Sequence, residues 1–293
     1  MQTLVLALLL AAVFGLLATG VQKPIQMWLH RGRLRIWTFP LLLTAIFGGA
    51  AALAGAFSLE LTLWVLIYTL LPVLSAVLAG ARGGPEVHLF DFVTILLIWL
   101  PLEFAAGGSL VPRPAQGFLH SVAYGIAILL GLVLFLGYRR MPGLKYNLPQ
   151  ERRDFWLPFA GFALVAPVLI LLGIAIGFIP APHLPSQSGG RMAAAAGIIF
   201  AGTAVPEEIL FRSLIQNLLM QRFGRNWRIL LLAGIIFGAA HLDNGPQPLP
   251  NWRYMIVATV AGWGYGAVFE RGGTVLSSAA LHTLVDWTKH FFF

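Results

Sequence analysis

Long apolar runs separated by short polar loops cover the chain from one end to the other. Ten of these runs approach the roughly 20 residues that a helix needs to cross the hydrocarbon core of a membrane. They span approximately residues 2–19, 36–56, 61–80, 90–108, 118–138, 155–180, 192–221, 228–242, 253–270 and 274–291. The pattern predicts an all-α fold, a polytopic transmembrane helical bundle with about ten hydrophobic segments.

Composition and charge also indicate a protein that lies in a lipid bilayer. Hydrophobic residues make up 58% of the chain and charged residues only 10%, whereas soluble domains carry about 25% charged residues. The net charge of +8 is distributed over short loops rather than along one stripe, which favours the positive-inside pattern over nucleic-acid binding. We therefore expect a multi-pass protein of the bacterial plasma membrane, with the lipid bilayer and no nucleic acid as partner.

One loop divides the chain by composition. Residues 181–191 are rich in proline and glycine, which cannot continue a helix. This predicts N-terminal transmembrane segments over 1–180, a linker over 181–191 and a helical core over 192–293. The chain contains no cysteine, so disulfides, thiol nucleophiles and cysteine-based metal sites are excluded.

Polar groupings interrupt three of the last apolar segments. An ionisable side chain at mid-bilayer costs roughly 2.5 to 3.5 kcal/mol, so each one needs a functional or structural reason. The residue types are those that activate water and stabilise developing negative charge. Six side chains form the candidate catalytic set: Glu207, Glu208, Arg212, His241, His282 and Asp286.

Helical spacing gives the two adjacent glutamates different roles. Glu208 and Arg212 are four residues apart and share a helix face, so they are expected to pair and neutralise each other. Glu207 points about 100° away from Glu208 and is left to meet a water molecule. Pro206 is expected to kink or restart the helix just before this pair.

The depths of the polar groups along their helices also agree. At about 1.5 Å per residue, Glu208, His241 and Asp286 each lie about 20 Å from the same predicted membrane face, and His282 about 14 Å from it. Three antiparallel helices would thus bring these side chains to similar levels. The sequence predicts one polar site inside the membrane.

The three groupings resemble the CPBP intramembrane proteases, which include the Ras-converting CAAX endoproteases and bacterial proteins linked to bacteriocin processing or immunity. The matching motifs are E-E-x-x-x-R from Glu207 to Arg212, F-x-x-x-H from Phe237 to His241, and H-x-x-x-N/D from His282 to Asp286. They occur in the order found in that family, and the resemblance covers roughly residues 190 to 290. It implies a hydrolase that cleaves a peptide or protein substrate, lipidated or membrane-anchored.

The resemblance also implies roles for individual residues. Glu207 and His241 would activate the attacking water, while His282 and Asp286 would lie where the oxyanion of the tetrahedral intermediate forms. The chain carries aspartate where the best-described CAAX members look to carry asparagine. Because ionised aspartate only accepts hydrogen bonds, Asp286 must be protonated, orient His282 or serve another role.

The sequence alone does not decide whether the hydrolysis needs a metal ion. Family members are often named metalloproteases, and two histidines with one glutamate would in principle hold zinc with a water in the fourth position. The chain lacks H-E-x-x-H, the motif that pre-arranges two histidine ligands on one helix. We favour a glutamate-type mechanism with no cofactor, and zinc is the alternative.

Two other classes of function compete with the protease interpretation. Intramembrane Glu, His and Arg also form the relays of transporters and proton-coupled carriers. A non-enzymatic membrane immunity or assembly factor would retain its function when the motif residues are replaced. The substrate and its cleavage site do not follow from composition or motif.

Overall fold

The computed structural model describes residues 1–81, 86–103, 116–245 and 248–293. Throughout these ranges the regular elements are helices, with no β-strand, which confirms the all-α prediction. The predicted segment over 90–108 lies partly outside the described residues. Contacts within the chain define two compact units, residues 1–142 and 143–293.

The first unit is built from six helices in its described ranges. The sixth ends in a wider π-helical stretch, Val133–Tyr138. The helices are α1 (Gln2–Gly15), α2 (Thr19–His30), α3 (Thr38–Leu53), α4 (Leu59–Gly80), α5 (Leu89–Glu103) and α6 (Gln116–Leu132).

The second unit contains five helices in its described ranges. They are α7 (Arg152–Ala175), α8 (Gly189–Phe223), α9 (Trp227–Ala239), α10 (Trp252–Arg271) and α11 (Val275–Phe292). Helix α7 packs against α10 and α11. The sequence placed α7 with the N-terminal segments, but in the structure it belongs to the unit that carries the six candidate residues.

Fewer helices qualify as membrane spans than the ten predicted from the apolar runs. Within the described residues, five are long and apolar enough, namely α3, α4, α6, α7 and α8, or six if α1 and α2 form one span bent by 87°. Helix α5 is described over 15 residues, Leu89–Glu103, and helix α9 has 13. Helices α10 and α11 are longer, but glycine, tyrosine and polar side chains lower their hydropathy. The count of about ten is therefore not confirmed, although the protein retains the helices of an integral membrane protein.

Close packing of α9 on α10 brings the histidine that follows α9 towards the site. A Cβ atom at Gly238 would lie 2.5 Å from the carbonyl oxygen of Met255, well inside van der Waals contact, so only glycine fits. The start of α11 is fixed by Asp154 of α7, whose Oδ1 accepts a 2.6 Å hydrogen bond from the backbone N–H of Gly273. These contacts hold α9 against α10 and the start of α11 against α7.

Candidate active site

Helix α8 continues through Pro206, where the sequence predicted a kink or a restart. A π-helical turn over Phe200–Ala204 precedes the short α-helical stretch Val205–Glu208, and a second π-helical stretch covers Ile209–Gln216. Because proline has no backbone N–H and its ring crowds the preceding turn, a wider turn lets the helix continue. Such π-turns are frequent at functional sites.

Glu208 is fully buried, and both of its carboxylate oxygens have partners. Its Oε2 accepts a 3.1 Å hydrogen bond from Nε of Arg212 and a further one from the hydroxyl of Ser278. Its Oε1 lies 3.1 Å from Nδ1 of His282. The pair with Arg212 is the one that the spacing predicts. The contact with His282 joins α8 to α11.

The Arg212 guanidinium lies between aromatic rings rather than among further carboxylates. Its Cζ is 4.8 Å from the ring centroid of Phe237 and 5.8 Å from that of Tyr265. Neither terminal nitrogen has a hydrogen-bond partner in the described part of the chain. Cation–π contacts and the single bond to Glu208 therefore hold this buried charge.

His282 is held at both ring nitrogens and on one face. Its Nδ1 contacts Glu208, while its Nε2 lies 3.4 Å from Oδ2 of Asp286 and 3.9 Å from Oε2 of Glu207. The ring of Tyr265 stacks on the imidazole, with the centroids 4.5 Å apart and the planes inclined by 20°. The structure thus brings Glu207, Glu208 and Asp286 around one histidine.

His241 lies in the turn that follows α9, because that helix ends at Ala239. Its Nδ1 is 2.8 Å from the carbonyl oxygen of Phe237, one turn earlier. A carbonyl only accepts, so Nδ1 carries the proton, and in the neutral ring Nε2 has the free lone pair. The ring of Tyr254 packs against the imidazole at a centroid distance of 4.6 Å.

A cavity of about 100 Å³ joins these side chains. Glu207, His241, His282 and Asp286 line it, whereas Glu208 and Arg212 lie behind this lining. About a third of the Glu207 side chain is exposed, whereas that of Glu208 is completely buried. At roughly 30 Å³ per water molecule, the cavity has room for water and part of a substrate.

Three site residues were missed from the sequence: Ser278, Tyr254 and Tyr265. Ser278 precedes His282 by one helical turn, so its place on the same face was a usable signal. The tyrosines come from α10, and no short motif joins them to the histidines that they contact. Their positions depend on how α10 packs against its neighbours.

Zinc would need three protein ligands arranged around one point. Within the ranges that the structure describes, no three His, Asp or Glu side chains form such a group. Nδ1 of His282 already contacts Glu208, and its Nε2 faces the carboxylates of Asp286 and Glu207. No zinc site is therefore found among the described residues. The metal-free mechanism stays a prediction.

Residues 189–288 match a family model described as Rce1-like, "Type II CAAX prenyl endopeptidase Rce1-like". The matched segment is about a third of the chain and contains all six candidate residues. This match confirms the resemblance that the three motifs indicated. Comparison with curated proteins and with solved structures gives no significant match.

Proposed function

We propose that this protein is an intramembrane endopeptidase that hydrolyses a peptide bond with a water activated by Glu207 and His241. The observation that carries the proposal is the cavity where Glu207, His241, His282 and Asp286 converge. Its location among helices of a membrane protein supports a substrate that reaches the site from the bilayer or its surface. The family match of residues 189–288 supports the reaction type.

The different surroundings of the two adjacent glutamates support their separate roles. Glu208 is committed to Arg212, Ser278 and His282, and it has no access to the cavity. Glu207 borders the cavity and is partly exposed. Glu207 is therefore the carboxylate that takes a proton from the attacking water, and Glu208 is a positioning residue that acts through His282.

His241 assists the same step from the turn that follows α9. The protonated Nδ1 is occupied by the Phe237 carbonyl, so the basic Nε2 is the atom that can accept a hydrogen bond from the water. The water oxygen forms a bond to the carbonyl carbon, and the carbonyl π electrons move to its oxygen. The oxyanion's electron pair then re-forms the C=O double bond as the C–N bond breaks, and the proton on Glu207 passes to the leaving amine, which gives a carboxylic acid and an amine.

His282 is the residue that donates a hydrogen bond to the oxyanion of the tetrahedral intermediate. Its Nδ1–H donates to Glu208, and a second proton on Nε2 would point toward the Asp286 carboxylate and the cavity. Asp286 then orients His282 and balances its charge rather than donating to the oxyanion. This role accommodates aspartate at a position where asparagine would donate directly.

The substrate proposed is a peptide or protein at the membrane, lipidated or membrane-anchored, and the proposed location is the bacterial plasma membrane. The test compares protein termini in membranes from cells that carry the wild type, Glu207→Gln or no protein. New termini should appear with the wild type alone. Identical termini in all three, or solute flux without peptide cleavage, would overturn the proposal.

A further inference from the structure

A lysine lies in the same cavity beside the proposed catalytic groups. Lys289 is on α11, three residues after Asp286, and it lines the cavity together with Glu207 and His241. Of the described residues that border this space, it is the sole Lys or Arg. The water-activation steps above leave it without a role.

Two aromatic rings fix the position of the Lys289 ammonium. Its Nζ lies 4.6 Å from the ring centroid of Phe178 and 4.4 Å from that of Tyr254, and the two rings are 4.9 Å apart. Tyr254 in turn contacts the ring of His241 at 4.6 Å. Taken end to end, these distances place the ammonium no more than about 9 Å from the imidazole of His241.

The ammonium has hydrogen-bonding capacity that its described surroundings do not use. Rings attract the charge but accept none of the three N–H bonds strongly. No described carboxylate lies within ion-pair distance of Nζ, and Oδ2 of the nearby Asp286 is directed to His282. The structure therefore presents a positioned cation, walled by aromatic rings, with room for an anionic ligand.

Carboxylates that border the same cavity limit where an acidic group of a substrate can bind. Glu207 and Asp286 both border the space, and either carboxylate would repel an acidic group of a substrate. Among the described lining residues, Lys289 is the sole Lys or Arg that can offset that repulsion, so an acidic group is expected to bind beside it. The ammonium would thus set the direction in which a peptide lies.

We propose that Lys289 binds a carboxylate of the substrate and so selects peptides with an acidic group close to the cleaved bond. An extended chain covers about 3.3 to 3.6 Å per residue, so a reach of up to about 9 Å from His241 corresponds to no more than three residues. The carboxylate comes from the substrate's C-terminus or from an Asp or Glu side chain. This inference deepens the proposed function and rests on it.

Binding tests the inference separately from cleavage. The probe is a short fluorescent peptide of alanine and leucine in three forms: a free acid, a C-terminal amide, and an amide with one glutamate near its end. Its affinity is measured for full-length Glu207→Gln protein in detergent, with or without Lys289→Met or Lys289→Arg. Lys23→Met, which removes an exposed lysine of α2, is the matched control.

The free acid should bind about tenfold more tightly than the amide, as expected for a charge-assisted hydrogen bond. Lys289→Met should abolish this preference, whereas Lys289→Arg and Lys23→Met should retain it. Tight binding of the glutamate-bearing amide identifies a side-chain acid, and preference for the free acid alone identifies the C-terminus.

Equal affinity for all three forms, no binding at all, or a preference that survives Lys289→Met would overturn the inference. An intact preference in a protein that never cleaves any peptide would instead contradict the proposed hydrolysis while supporting the carboxylate site. A melting curve for each variant separates a lost contact from a lost fold.

Discussion

Each of the two units contains a buried Arg–carboxylate pair, and the pairs differ in what surrounds them. In the first unit, Asp91 receives bonds of 2.9 and 3.1 Å from Arg139, which also donates to the Glu86 carbonyl. The backbone N–H of His88 donates to the same carboxylate. In the second unit, Glu208 has a single bond from Arg212 and extends to His282 at the cavity.

In the described part of the chain, the Asp91–Arg139 pair makes no contact with a proposed catalytic group, whereas the Glu208–Arg212 pair also holds a proposed catalytic side chain. The Asp91 pair is satisfied by its own arginine and a nearby backbone group, so it has the features of a structural contact. The Glu208 pair uses its second oxygen to hold a histidine whose other nitrogen faces the cavity. Burial of an ion pair in a membrane protein is thus not by itself a sign of a site. What indicates a site is the titratable side chain that the pair holds at a cavity, here His282.

The largest expected effect comes from removing the proposed base. Glu207→Gln should lower turnover about a hundredfold to ten-thousandfold, the usual contribution of general base catalysis. Its melting temperature should stay close to that of the wild type, since Glu207 is partly exposed. Turnover of an identified peptide and thermal melting in detergent measure the two effects.

Glu60→Gln, an exposed carboxylate at the start of α4, is the matched control and should change neither quantity. Asp91→Asn should show the opposite pattern to Glu207→Gln. Its melting temperature should fall, while the protein that remains folded should keep the turnover of the wild type. Wild-type turnover in Glu207→Gln would remove this residue from the base role.

The next effect concerns the ion pair behind the site. Arg212→Ala leaves the buried Glu208 charge without its main partner, which should cost about 3 to 5 kcal/mol of stability. The variant should melt well below Glu207→Gln, and it should also lose turnover because His282 is no longer oriented. Arg139→Ala should lose comparable stability without a change in turnover per folded molecule. Equal melting temperatures for Arg212→Ala and Glu207→Gln would contradict the buried pair.

A smaller loss of stability is expected on replacing Lys145, whose side chain makes hydrogen bonds within the unit that carries the site but does not reach the cavity. Its Nζ donates to the carbonyls of Phe269, Glu270 and Gly272 at the end of α10, at 2.6, 3.0 and 2.9 Å. Lys145→Met should reduce stability by about 1 to 2 kcal/mol, as water recovers part of the lost bonding. Turnover should be unchanged, and chemical denaturation checks the stability.

The pH dependence of stability sharpens this prediction. Burial lowers the pKa of Lys145 below its usual value of 10.5 in the folded state. Between the folded and unfolded pKa values the unfolded chain binds more protons, so this group makes stability rise as the pH increases toward 10.5. Lys145→Met should lack that rise. An identical pH dependence in both proteins would show that Lys145 is not perturbed.

The smallest expected effect is that of a chelator. If Glu207 and His241 work without a metal, activity should survive exhaustive dialysis against a strong chelator. Elemental analysis should then find well under one equivalent of zinc. Stoichiometric zinc, together with recovery of turnover on adding Zn²⁺ after chelation, would instead make Glu207, His241 and His282 ligands, because a zinc-bound water reaches a pKa of about 7.

The sequence determined the local part of this protein. Apolar runs predicted an all-helical membrane protein, and the spacing of four residues predicted the Glu208–Arg212 pair and the neighbouring positions of His282 and Asp286. These predictions succeed because one helix fixes which of its own residues are neighbours. The three motifs also predicted the family that residues 189–288 match.

Contacts between helices were decided by the tertiary structure. Glu208 meets His282 across 74 residues of chain, Tyr265 stacks on the same ring, and Lys289 lies between Phe178 and Tyr254. Each depends on the rotation and depth of α7, α8, α10 and α11, which close packing sets at positions such as Gly238. The number of spans also depended on where helices end, as α9 does at Ala239, which an apolar pattern does not encode. Hydropathy and spacing describe single helices, whereas a site requires several helices to meet.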